Sequence, residues 1–261
     1  MPEILEVESY RRHAEAVLGR PVVGVDAPDP WYLKGGLTAT ALHQAVVGRS
    51  IVAARRIGKL LLLDTDGDGP TIGLRFGMTG RLVVDGRAAI DRLEYGSTRL
   101  EPTWQRVQLR FADERALTVD DPRRLGGVEF DPDEGALGPD ALTLTKAKFI
   151  AAMAGAHGPI KARLMDQGRV AGLGNLLTDE ALWRARIDPA RDAGELAVAE
   201  YAALHRAIRR TLRVLGERGG SHTGDLQPAR ARGSSCPRCG RPLQRRTIGG
   251  RTTFSCPRCQ R

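Results

Sequence analysis

No cysteine occurs in the first 235 residues of this 261-residue chain; the four it has, at 236, 239, 256 and 259, fall within the last 26. That excludes a disulfide framework spread through the fold. In a chain expected to be cytoplasmic, such clustering argues for a metal before disulfides. No apolar run approaches the roughly 20 residues of a membrane span. The first twenty residues carry Glu, Arg and His throughout, unlike a signal peptide. Strand and helix patterns do not alternate along the chain, so a doubly wound parallel sheet is not expected. Acidic charge is also short: 31 Asp and Glu stand against 40 Lys and Arg, for a net charge of +9. None of the acids lies in residues 230–261, which hold nine arginines. That balance points to a polyanionic partner, nucleic acid ahead of an anionic membrane surface.

Hydrophobic residues make up 41% of the chain, enough for a folded protein of two core-bearing domains or one with an appendage. Apolar groups at Ile4, Val7, Tyr10, Ala14 and Val17 have helical spacing, which predicts a helix over 3–18. A strand over 22–25 and a second helix over 37–47 follow. Short Val-, Leu- and Ile-rich runs at 51–57, 60–63, 71–76, 81–84, 106–111, 116–119 and 128–130, separated by turn formers, predict an antiparallel sandwich or barrel. Residues 131–144 read as a linker. Helices are then expected at 146–154, 160–167, 176–185 and 196–215, before a Gly-Gly stop at 219–220 and the cysteine module. The fold class is α+β and multidomain. We expect an N-terminal β-sandwich domain over 1–133, a helical domain over 134–228 and a finger over 229–261.

The strongest motif is Cys236-Pro-Arg-Cys239 with Cys256-Pro-Arg-Cys259, 16 residues apart. Two C-x-x-C knuckles can surround one Zn²⁺ with four thiolates, and the intervening chain suffices for a hairpin. With all four positions filled, a single structural zinc is expected. Even with the zinc–thiolate centre near −2, so arginine-rich a hairpin remains cationic and suits a phosphate backbone. A second motif, Gly172-Leu-Gly174-Asn175, lies between two predicted helices. Its backbone N–H groups are candidates to hold a phosphate oxygen, although an ordinary helix–turn–helix corner accounts for it equally well. Lys59, Met78 in Phe76-Gly-Met-Thr-Gly80, and the loop Asp121-Pro-Arg123-Arg124-Leu125 are weaker signals. Each is also compatible with a plain surface or core role. Pro2-Glu3 places a potential secondary amine beside a carboxylate at the head of a helix, and read alone is a good helix start.

Taken together, Pro2-Glu3, Lys59, Met78, Asp121-Pro-Arg123-Arg124, the Gly172–Asn175 turn and the two-knuckle finger occur in an order that resembles the formamidopyrimidine-DNA glycosylase/endonuclease VIII family, over essentially the full length. The resemblance implies a bifunctional DNA glycosylase and AP lyase of base excision repair. Its fold would be an N-terminal helix with an antiparallel β-sandwich, a helix–two-turns–helix domain and a C-terminal β-hairpin zinc finger. It implies attack by the Pro2 amine on the sugar C1′ of a damaged nucleotide, a Schiff base, and β- then δ-elimination. Glu3 is implied as the proton donor, with Glu6 helping to organise the site. Lys59, Lys161, Asn175 and Arg251 are implied as phosphate contacts, Arg124 as a further DNA contact, and Met78, Arg123 and Leu125 as fillers of the gap left by the flipped base. The implied partner is double-stranded DNA with a damaged base or abasic site. A monomer, associated with the bacterial nucleoid, is expected.

The pattern departs at several positions. Leu5 stands where proline is common, Arg75 replaces a frequent histidine, Leu125 an aromatic wedge, and Leu177 an aromatic. Only 15 residues separate Gly220 from Cys236, a segment that is longer in the oxidised-purine branch, where it covers the extruded base. The resemblance therefore does not carry 8-oxoguanine specificity with it. The competing class is a non-catalytic, zinc-dependent binder of damaged DNA, for which charge and zinc suffice but which leaves Pro2-Glu3 unexplained. The amine chemistry also requires removal of Met1.

Overall fold

The computed structural model describes residues 2–90, 93–94, 96–97 and 99–261. The expectation about Met1 lies outside the described residues. Two compact units divide between Glu134 and Gly135, with Glu3–Leu5 counted with the second. None of the described helices is long and apolar enough to cross a membrane.

The first unit carries most of α1 (Ile4–Ala14), then β1 (Val22–Asp26), α2 (Ala39–Val46), β2 (Ile51–Ile57), β3 (Leu60–Thr65), β4 (Thr71–Arg75), β5 (Arg81–Val84), β6 (Arg87–Ala88), β7 (Gln105–Phe111), β8 (Ala116–Asp120) and β9 (Gly127–Phe130). They form two antiparallel sheets, ordered β1-β7-β8-β5-β6 and β2-β3-β4-β9. Alternation along the strands decides which side chains meet between the sheets. Val107, Leu109 and Phe111 of β7 join Leu117 and Val119 of β8 in one core with Leu61 and Leu63 of β3 and Ile72 and Leu74 of β4. Val7, Tyr10 and Ala14 add the apolar stripe of α1 to that core.

The expected strands are all present, with ends shifted by a residue or two, and the two-residue β6 was not expected. Helix α1 is shorter than its apolar pattern, because Glu15–Val17 tighten into a 3₁₀ turn. Helix α2 starts late because the Thr38 hydroxyl caps it, accepting from the Ala41 N–H at 3.1 Å.

The second unit holds α3 (Lys146–Met153), α4 (Ile160–Met165), α5 (Asn175–Ala185), α6 (Val198–Glu217) and the hairpin β10 (Gln244–Ile248) and β11 (Arg251–Ser255). Ile4 and Leu5 share a buried core with Phe149, Ile160, Leu164, Leu177, Leu182, Leu204, Ile208 and Leu212. Residues 131–144 are not wholly a free linker: Ala141 and Leu144 are buried in that core, and Asp140 bridges Ala171. The hairpin turns on Gly249 and Gly250, both at positive φ (56° and 71°), as a two-residue turn between right-twisted strands requires. The result is the expected architecture of helix and antiparallel sandwich, helical bundle and C-terminal hairpin.

Candidate active site and DNA-binding elements

Glu3 is fully buried, and its carboxylate sits on the N-terminus of α5. Oε2 accepts from the Gly174 N–H at 2.7 Å and the Leu177 N–H at 3.3 Å, and Oε1 from the Leu176 N–H at 2.8 Å. These are among the donors that the first turn of any helix leaves without an intrahelical partner. Three such donors and the positive end of the helix dipole favour the charged carboxylate. The fit explains Gly174: a Cβ there would lie 2.3 Å from the Glu3 carboxyl carbon. Gly172, at φ +113°, does the same for Ile4, whose N–H donates to the Gly172 carbonyl at 3.1 Å. This corrects the expectation that the glycine turn cradles a phosphate with its backbone. The N–H groups of Gly174, Leu176 and Leu177 are already taken by Glu3.

Gln167 laces the same turn, and sequence reasoning missed it. Its Oε1 accepts from the Gly172 N–H at 2.9 Å, and its Nε2 donates to the carbonyls of Met165 (2.7 Å) and Leu173 (3.0 Å). An amide directly after the last turn of α4 is the signal that was available for it.

Lys161, Asn175 and Arg251 are brought together around β11. Lys161 donates through Nζ to the Thr253 hydroxyl at 2.7 Å and the Thr252 carbonyl at 3.3 Å. Asn175 donates to the same Thr252 carbonyl at 3.2 Å. Arg251 is exposed, directly after the hairpin turn. Lys161 departs from the expected surface cation. It is fully buried and paired with Asp179 at 2.7 Å, and Asp179 also pairs with Arg230. Burial pushes the Lys161 pKa down, opposed by Asp179. Its ammonium therefore ties β11 to α5, while Arg251 is exposed and Asn175 partly so.

Asp179 is a further residue that sequence reasoning missed, although an acid inside the apolar run of α5 signals a buried partner. Asp179→Asn leaves Lys161 and Arg230 without their counter-charge. It is expected to cost about 3–5 kcal/mol in denaturant unfolding, as a broken buried pair does; a loss under about 1 kcal/mol would show that the pair is dispensable.

In the first unit, Lys59 stands at the apex of the two-residue turn between β2 and β3, after Gly58 at φ +56°. Arg56 braces that turn, donating to the Gly58 carbonyl at 3.0 Å and pairing with Glu8 of α1 at 3.0 Å. Glu6 is buried on the same helix.

Met78, Arg123 and Leu125 lie on two loops that the buried Asp121 locks together. Its carboxylate accepts from the Thr79 hydroxyl (2.6 Å) and from the N–H groups of Arg123 (3.2 Å), Leu125 (2.9 Å) and Gly126 (2.9 Å). The loops approach so closely that a Cβ on Gly77 would lie 2.4 Å from the Leu125 carbonyl carbon. Met78 is half-buried, whereas Arg123 and Leu125 are exposed, Leu125 at 50%. Arg124, expected as a DNA contact, is half-exposed and also serves the fold. Its guanidinium makes a two-pronged pair with Asp29 at 2.6 Å on each oxygen, which anchors the loop and holds the Asp29 carboxyl below its ordinary range.

The four cysteine sulfurs lie within 4.8 Å of one another, with Cys239 and Cys256 at 3.5 Å. Tetrahedral zinc with Zn–S bonds of ~2.3 Å needs sulfurs about 3.8 Å apart, so the donor set fits. The Trp183 indole N–H donates to the Cys236 sulfur at 3.4 Å, the kind of outer contact that orients a thiolate ligand. One structural zinc belongs at this centre.

Three family models match the chain: the formamidopyrimidine-DNA glycosylase N-terminal domain over residues 1–128, the formamidopyrimidine-DNA glycosylase H2TH domain over 137–226, and a zinc finger found in FPG and IleRS over 233–261. The chain is 34% identical to a formamidopyrimidine-DNA glycosylase of Paracoccus denitrificans, both covered in full. It is 35% identical to that of Thermus thermophilus, covering 100% of this chain and 98% of the relative. Among solved structures, it superposes on a Lactococcus lactis Fpg in complex with DNA containing an abasic site. The TM-score is 0.81 at 26% identity, covering 99% of each chain.

Proposed function

Because the chain belongs to the formamidopyrimidine-DNA glycosylase family, a base excision repair DNA glycosylase, we propose that it also cleaves the resulting abasic site, using the Pro2 nitrogen as nucleophile. Family membership favours this excising enzyme over a binding-only protein. The observation that carries the proposal is the Glu3 carboxylate, held by three backbone donors next to Pro2 in the chain.

An α-amino group with a pKa near ~8 is partly neutral at physiological pH, so the Pro2 nitrogen can attack once freed. Its lone pair forms the bond to C1′ as the glycosidic bond breaks and the damaged base leaves with that electron pair. The nitrogen then sheds its proton, and the Glu3 carboxylate accepts it and returns it to O4′ as the sugar ring opens. Proline's secondary nitrogen leaves a cationic iminium. The iminium acidifies C2′–H, and loss of that proton to water gives an enamine that expels the 3′-phosphate. Loss of the C4′ proton to water then expels the 5′-phosphate, and hydrolysis of the iminium frees Pro2.

Residues 1–133 are assigned the chemistry, and 134–228 with 229–261 the grip on duplex DNA. Lys59, Asn175 and Arg251 contact phosphates, while Lys161 and Arg124 act through the loops and strands they brace. Met78, Arg123 and Leu125 enter the gap left by the extruded base, with an apolar wedge replacing lost stacking. The protein acts as a monomer on nucleoid DNA.

Borohydride trapping on abasic duplex DNA tests the nucleophile. The unaltered protein is expected to form a covalent adduct that Pro2→Gly reduces at least tenfold. An adduct that persists undiminished in Pro2→Gly, or none in the unaltered protein with binding intact, counts against the assignment.

A further inference from the structure

Helix α5 presents Asn175 at one end and, about 16 Å along its axis at 1.5 Å per residue, the exposed Arg186 at the other. Arg186 lines two adjoining cavities of the second unit. One, of about 390 Å³, runs between the end of α5 and α6, where Arg206 and Arg210 stand one turn apart and Ala203 and Ala207 line the same face. The alanines make a low floor and the arginines its walls. The other, of about 670 Å³, opens beside the cysteine knuckles and is lined by Arg238, Arg258 and Arg261. No acidic side chain lines either cavity.

Arg184, which also lines the first cavity, is neutralised by Glu180 and Asp225, as Arg218 is by Asp225 and Arg191 by Glu200. The other arginines of the two cavities are not. Among the described residues Arg186, Arg206, Arg210, Arg258 and Arg261 belong to no ion pair. The Arg238 guanidinium is fixed by stacking on Trp183 at 4.2 Å and by donating to its carbonyl at 3.0 Å. Counter-charge for the zinc–thiolate centre, near −2, does not require six guanidinium groups. Unpaired guanidinium groups fork onto phosphate oxygens with two parallel N–H donors, and a continuous row of them matches a polymer of phosphates better than a single anion.

We propose that this surface, from the α6 groove through Arg186 to the knuckle end of the finger, binds the backbone of a second DNA segment, while the lesion-bearing duplex occupies the opposite end proposed above, at Asn175 and Arg251. The inference rests on the reading that the protein binds DNA, not on the Pro2 chemistry. A protein with two such faces can hold a distant or crossing stretch of DNA during search and stay bound to it through transfer.

The test uses full-length, zinc-loaded protein on a short immobilised lesion duplex, to which a labelled undamaged duplex is added. Capture of the second duplex is expected. The triple variant Arg206→Gln, Arg210→Gln, Arg258→Gln should weaken capture at least tenfold and lower the salt slope of the remaining second-duplex binding by about 2.7, at ~0.9 per lost phosphate contact. Borohydride trapping of the short duplex should be unchanged, which separates failure of this inference from failure of the proposed chemistry. Zinc content and thermal midpoint report whether the variant is folded. No capture by the unaltered protein, or capture and slope unaffected in a folded triple variant, overturns the proposal. Displacement of the second duplex by a polyglutamate peptide at far lower charge concentration than by DNA would also overturn it, assigning the surface to an acidic protein.

Discussion

Glu3→Gln is expected to lower single-turnover base excision by about 10²–10⁴-fold, the range that a positioned proton-transfer group contributes. Both Glu3 oxygens accept backbone N–H groups. A glutamine must therefore turn its NH₂ toward one of those donors. The substitution should also cost about 1–3 kcal/mol of stability in the α5 turn, the penalty for an unsatisfied buried donor. The two effects separate by measurement: excision on a lesion panel reports the proton, and denaturant unfolding reports the turn. DNA affinity should stay nearly unchanged, because Glu3 is buried. Excision at the unaltered rate by a stably folded Glu3→Gln protein would remove the carboxylate from proton transfer.

Removing the zinc should have the largest structural effect. Two antiparallel strands are marginal by themselves, and the small buried cluster at the knuckles, Cys236 and Cys256, borrows its large apolar members, Trp183 and Leu226, from the helical domain. Metal binding to a four-thiolate site supplies about 10–16 kcal/mol at neutral pH, so chelation, or Cys239→Ala, is expected to unfold β10–β11 and leave the sandwich intact. The consequence reaches the DNA-binding elements, since Thr252 and Thr253 of β11 are the partners of Asn175 and Lys161. Affinity for lesion duplex should fall at least tenfold, with one zinc per chain lost by metal analysis. Retained exchange protection of hairpin amides after complete chelation would show that the fold does not need the metal.

Much of the architecture is legible in the sequence because its signals are local. The C-x-x-C spacing foretells the hairpin and its metal, and the apolar stripe Ile4–Val17 foretells the first helix. Alternation in 106–111 marks which side chains of β7 face the core. The four cysteines were recoverable because their spacing constrains them. Less local facts were not. Arg123, Arg124 and Leu125 are three exposed neighbours in one loop, and nothing in their identities says that the second is bound to Asp29. Lys161 looks like any cation at a helix start until Asp179, 18 residues on, is placed against it.

The sequence by itself determined the kind of protein: the family, the zinc ligands, the excess of positive charge, and an amine beside a carboxylate at the head of a helix. Those are matters of residue type, spacing and total charge, which survive without coordinates. Only the tertiary structure decided how the parts are engaged. It gave the glycine turn to Glu3 instead of to a phosphate, because Gly174 lets the carboxylate approach donors that α5 cannot use internally. It gave Lys161 and Arg124 each a carboxylate within 2.7 Å, brought there by distant chain. It also left Arg186, Arg206, Arg210, Arg258 and Arg261 outside any ion pair among the described residues. Partnership between charges is set by folded distance, and folded distance is what a linear pattern does not contain.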